Sequence, residues 1–83
     1  MTKEGIRQAI VDIIQEILPD EEMSGIDADK PLRDQLELDS MDFLDIVMEL
    51  RKRYSVEVPE KDYMELNTLS STITYLQPKM ESL

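Results

Sequence analysis

Eighty-three residues with two Gly, four Pro, no Cys and no His describe a chain of long regular elements that lacks disulfides, thiolate chemistry and imidazole bases. Nine basic residues against nineteen acidic ones leave a net charge of −10, which repels nucleic acid and anionic membranes and favours a basic protein partner. The length predicts a single domain, 1–83, with one small core. The polar Thr2–Lys3–Glu4 and the lack of any long apolar run predict neither a signal peptide nor stable membrane insertion. The missing Cys fits a reducing, cytoplasmic setting.

Ile6, Ala9, Ile10, Ile13, Ile14 and Ile17 follow the i, i+3, i+4, i+7 pattern of one helical face. Asp12, Gln15 and Glu16 fall opposite, so the period decides for helix although β-branched Ile also suits strands. Thr2 is placed to cap this helix, and Pro19 to end it. Residues 19–38 read as a long first loop, pinned to the core by Ile26, Leu32, Leu36 and Leu38. A second helix is predicted from about 40 to 54, capped by Asp39 or Ser40, with Phe43, Ile46, Val47, Leu50 and Tyr54 inward. Pro59 opens a short third helix near 60–66. Thr68 or Ser70 caps a fourth, carrying Leu69, Ile73 and Leu76, which Pro78 is expected to end or kink. The expected fold is therefore all-α: a small four-helix bundle with a long first loop and a short third helix.

Two chemistries are tested by the loop and the composition. "DADKPLRDQLEL", Asp27 to Leu38, has the outline of a calcium loop. It carries Leu32 where the sharp turn needs Gly and Leu38 where a bidentate Glu belongs, so no metal site is expected. Catalysis has no activated nucleophile, because no imidazole can serve Ser40 and no motif places Lys61. The chain reads as a non-enzyme.

Ser40 sits in "ELDSMDF". A Ser before a helix is ordinarily a cap, but this helix has a second apolar face. Met41, Leu44 and Met48 recur at i, i+3, i+7 beside an acidic stripe of Asp42, Asp45 and Glu49, rotated away from the inward residues. An apolar stripe with a charged margin has the form of a docking surface. Arg51, Lys52 and Arg53 then close the helix with cations, which complement its dipole.

"LELDSMDFLDIVMEL" resembles the attachment motif of the acyl carrier protein family, in which D-S-L or D-S-M opens the second helix. The likeness extends to the Ile-rich first helix, the "DADKPLRDQLEL" loop, Val58–Pro59 and a last helix with Ile73 and Tyr75. It implies that Ser40 carries 4′-phosphopantetheine, with Asp39, Met41 and Asp42 forming the recognised surroundings. It also implies a cytoplasmic, free-standing monomer that serves fatty-acid, polyketide or specialised lipid synthesis. Its partners would be a phosphopantetheinyl transferase and acyl-transferring and elongating enzymes with basic patches, met by Met41, Asp42, Leu44, Asp45, Met48 and Glu49, with Arg51, Lys52 and Arg53 at the far end of the same surface expected to disfavour an all-basic partner. An aminoacyl carrier of the D-alanyl type and an unmodified acidic interaction module are the alternatives. Three departures from the family pattern stand out. Arg51–Lys52–Arg53 replaces a continued acidic run, Phe43 is bulky, and Tyr63 stands where small residues are common; both rings are placed to narrow an acyl pocket.

Overall fold

The computed structural model describes residues 1–83. Four α-helices and one 3-10 helix make up the all-α architecture: α1 (Lys3–Ile17), α2 (Leu32–Gln35), α3 (Ser40–Tyr54), the 3-10 helix (Glu60–Leu66) and α4 (Leu69–Met80). Helix α1 packs on both α3 and α4, and α4 also packs on the 3-10 helix. Ile6, Ile10, Ile13 and Ile14 form the buried ridge of α1 and meet Leu50, Leu66, Leu69, Leu76 and Met80 in one core. Burying such an aliphatic side chain contributes about 1.5–3 kcal/mol relative to exposure. That outweighs the modest helix propensity of isoleucine, a few tenths of a kcal/mol per residue. Met23 and Met80, which periodicity did not single out, are also core residues.

Caps fix most boundaries. Thr2 accepts from the Gly5 N–H, and the Leu18 N–H closes α1 on the Ile14 carbonyl just before Pro19. Thr68, rather than Ser70, caps α4 in a reciprocal box with Ser71. Ser55 ends α3 in the left-handed region at φ 58, where its N–H and that of Val56 satisfy the Arg51 and Leu50 carbonyls.

The structure corrects the expected path in three places. First, the stretch 19–38 is not all loop, because α2 forms inside it. Its hydrophobic anchors Leu32, Leu36 and Leu38 are buried as expected, but the shape of the segment comes from Gln35. The Gln35 amide donates to the Asp27 and Lys30 carbonyls at 2.9 and 3.0 Å and accepts from the Asp27 N–H at 2.7 Å. Leu32 N–H to the Asn67 carbonyl and Ser70 N–H to the Ala28 carbonyl then tie the segment to the start of α4. Second, Pro78 does not end its helix; α4 continues to Met80. The missing N–H would have bonded the carbonyl of Thr74, an exposed residue where water can serve instead. Third, the inward face of α3 is narrower than expected. Ile46 and Leu50 are buried, whereas Phe43, Val47 and Tyr54 lie half-buried at its edges.

No buried side-chain polar atom lacks a partner. Thr72, the buried polar residue of the core, donates to the Thr68 carbonyl at 2.7 Å. Tyr75 donates to the Asp62 carboxylate at 2.7 Å and joins α4 to the 3-10 helix. Burial, and then the hydrogen bond and charge of Asp62, push the Tyr75 phenol up to about 12. An unfolded tyrosine ionises near 10. The neutral phenol is therefore favoured by the fold, and its contribution is complete below about pH 10 and lost as pH rises through about 12. In alkaline melts monitored by circular dichroism, the wild type is expected to lose stability through this window. Tyr75→Phe is expected to flatten that limb, and an unchanged slope would show that the phenol does not couple to folding.

Candidate functional site

The site is built at the junction of α2, the start of α3 and the 3-10 helix. Asp39 caps α3 by accepting from the Asp42 N–H at 3.0 Å, and the Asp42 carboxylate accepts in return from the Asp39 N–H at 3.1 Å. Both carboxylates thus satisfy backbone donors that the helix start leaves open, and both favour its positive end. Ser40 is the first residue within the helix and not its cap. That decides between the two caps left open by the sequence. A capping serine would spend its oxygen on a backbone N–H; here the Ser40 hydroxyl makes no hydrogen bond within the protein and is exposed.

A groove of about 660 Å³ begins at Ser40, walled by Arg33, Phe43, Tyr63, Met64, Glu65 and Asn67. Phe43 and Tyr63, the two rings expected near a pocket mouth, both line it. The Arg33 guanidinium lies over the Phe43 ring, 5.3 Å from its centroid. Met64 is 78% exposed at the rim. Arg33, Met64, Glu65 and Asn67 escape sequence reasoning, because they reach Ser40 and Phe43 from two other segments, α2 and the end of the 3-10 helix. The odd signal was Met64, an apolar residue out of phase with the buried Leu66.

On α3, Met41, Leu44 and Met48 are 73%, 44% and 66% exposed, so the second apolar face exists as an open stripe. Asp45, Met48, Glu49, Arg51 and Lys52 come together with Glu16 and Ile17 of α1 in a second groove of about 720 Å³. Met41 and Leu44 lie outside it, nearer Ser40. The cationic trio is divided. Arg53 bridges to Glu16 on α1 and to Glu49 one turn earlier, with the Glu49 contact at 3.0 Å. The Glu16 hydrogen bond, ahead of the Glu49 bond and both charges, raises the Arg53 guanidinium above its ordinary value, so it stays charged. Arg51 reaches Glu57 at 3.8 Å, and Lys52 joins no ion pair.

An unbonded serine hydroxyl at a helix start thus lies beside an open groove and an apolar stripe bordered by acids. Comparison with known proteins identifies the family. Residues 8–76 match the family described as "Phosphopantetheine attachment site". The chain is 33% identical over 82 residues to the acyl carrier protein of Lactobacillus johnsonii, covering 93% of this chain and 95% of that one. It is 29% identical over 80 residues to the acyl carrier protein of an Exiguobacterium species, covering 96% of this chain and all of the relative. It is also 32% identical over 77 residues to the meromycolate extension acyl carrier protein of Mycobacterium leprae, covering 93% of this chain. The chain spans 66% of that mycobacterial relative's length. The chain belongs to the acyl carrier protein family, and its prosthetic group is 4′-phosphopantetheine.

The division of labour between Asp39 and Ser40 is testable by chemical denaturation of the unmodified protein. Asp39→Ala is expected to cost about 0.5–2 kcal/mol through the lost cap. Ser40→Ala is expected to stay within about 0.5 kcal/mol of wild type. Equal losses in the two variants would return the capping role to Ser40.

Proposed function

We propose that Ser40 is the attachment point of 4′-phosphopantetheine, and that this one-domain, cytoplasmic, monomeric carrier holds acyl intermediates in fatty-acid, polyketide or specialised lipid synthesis. The observation that carries the reading is the free Ser40 hydroxyl. Of the serines, Ser40 alone lines one of the three main grooves, whereas Ser24, Ser70 and Ser71 spend their hydroxyls on Glu22, Asp29 and the Glu65 carbonyl. The residues around Ser40 fit the group: an exposed oxygen, a cation on the groove wall, and apolar surface from Phe43, Tyr63 and Met64. When bound, the arm supplies the thiol on which acyl groups ride as thioesters. The chain has no Cys or His, so the thiol and the base that takes the Ser40 proton come from elsewhere, the base from the phosphopantetheinyl transferase. The names of the relatives support an acyl rather than an aminoacyl cargo.

Asp42, Asp45 and Glu49 border the exposed Met41–Leu44–Met48 stripe and suit enzymes with basic rims and an apolar seat. Arg51 and Lys52 lie in the groove beyond it and oppose an all-basic partner, so they select among enzymes. Arg53 is committed to Glu16 and Glu49 and belongs to the fold as much as to the surface.

Intact-mass measurement after incubation with a phosphopantetheinyl transferase is expected to show one added arm on the wild type and none on Ser40→Ala. An arm on the alanine variant would place attachment elsewhere. For partner selection, Arg51→Glu combined with Lys52→Glu is expected to raise turnover by a general elongating ketosynthase about tenfold at low salt. Unchanged kinetics in the folded double variant would remove these cations from any selecting role.

A further inference from the structure

Arg33 has an unusual position for a cation in a chain with net charge −10. The ion pairs of the fold join Arg51 to Glu57 and Arg53 to Glu16 and Glu49, and none involves Arg33. It is exposed, yet it does not hang free, because its guanidinium rests over the Phe43 ring at 5.3 Å and helps wall the groove that contains Ser40. A ring beneath a guanidinium limits its orientations while leaving its N–H groups open to an acceptor.

The charges around Ser40 are otherwise negative. Asp39 and Asp42 flank it with their carboxylates turned to backbone N–H groups, and Glu65 is the one carboxylate in the groove wall. A phosphate ester on Ser40 adds another negative charge at this spot. Open N–H groups at the start of α3 favour that charge, and the two Asp oppose it. The cation that shares the groove is Arg33. We propose that Arg33 is a positioning residue that pairs with the phosphate joining the arm to Ser40 and so fixes the arm's root against the Phe43–Tyr63–Met64 wall. This pairing rests on the assignment of Ser40 above. Arginine suits the task because two of its N–H groups can meet two phosphate oxygens at once. The consequence is an arm that begins its path along the groove instead of leaving directly into solvent. Phe43 then has two uses, as the platform for the guanidinium and as apolar wall.

The test compares modified and unmodified forms of each protein, so that any change in the fold itself cancels. Mass analysis first verifies one arm on Ser40. The melting temperature of the modified form minus that of the unmodified form is then measured for wild type, Arg33→Ala, Arg33→Lys and Phe43→Leu. The ³¹P resonance of the arm is recorded in each. Arg33→Ala is expected to lower the difference by about 4 °C and to move the ³¹P resonance towards that of the free arm. Arg33→Lys is expected to recover part of both changes, and Phe43→Leu to fall between wild type and Arg33→Ala. The same difference and the same ³¹P position in wild type and Arg33→Ala, with the arm present, would overturn the pairing while leaving Ser40 as the attachment point. An arm found on another residue, or none at all, removes the Ser40 assignment and the pairing together.

Discussion

Ile6, Ile10, Ile13 and Ile14 run along one face of α1 and are shut away from solvent, and α3 and α4 both pack against that ridge. With α1 seated by this face, α3 has one rotation available that buries Ile46 and Leu50. Every other residue of α3 follows from that choice. The helical period carries Met41, Leu44 and Met48 outward, and it carries Phe43 to the edge where α2 and the 3-10 helix meet the groove. The exposed apolar stripe is thus not a failure of burial. It is the remainder left when a helix with two apolar faces has a core large enough for one.

The start of α3 solves a separate problem. A helix needs partners for its first N–H groups, and the usual short polar residues supply them. Were Ser40 the cap, its hydroxyl would be tied to the backbone. The carboxylates of Asp39 and Asp42 take that duty and leave the hydroxyl one position into the helix, rigidly placed and unbonded. The oxygen is thus left exposed on the first residue of α3, in a chain that has no His or Cys to act on it.

Electrostatics divides the surface further. Acids dominate, yet four of the nine cations lie along or beside α3. Arg53 links α3 to α1 through Glu16 and draws Glu49 into the same network. Arg51 and Lys52 stand in the last turn of α3, beside Asp45 and Glu49 in one groove. Arg33 stands at the near end, on Phe43. The surface of α3 is therefore acidic and apolar in its middle, with cations in its last turn and Arg33 beside its start, a field more particular than a net charge of −10 conveys.

The sequence alone determined the features that depend on neighbours along the chain. The Ile period specified α1, the D-S-M triplet and its spacing placed Ser40 at a helix start, and Val58–Pro59 announced a short helix at 60–66, because helical periodicity and capping act within a few residues. Tertiary structure decided what depends on segments far apart. Only the fold showed that Gln35 braces the 19–38 connection ahead of α2, since its partners are backbone groups of Asp27 and Lys30 in an irregular segment. Only the fold carried α4 through Pro78 to Met80, because the buried Met80 side chain holds a turn that proline would otherwise weaken. The groove at Ser40 was likewise beyond sequence reasoning: Arg33, Phe43, Tyr63 and Asn67 lie far apart along the chain, and they come together because α3 packs on α1, the 3-10 helix packs on α4, and Leu32 N–H ties α2 to the Asn67 carbonyl.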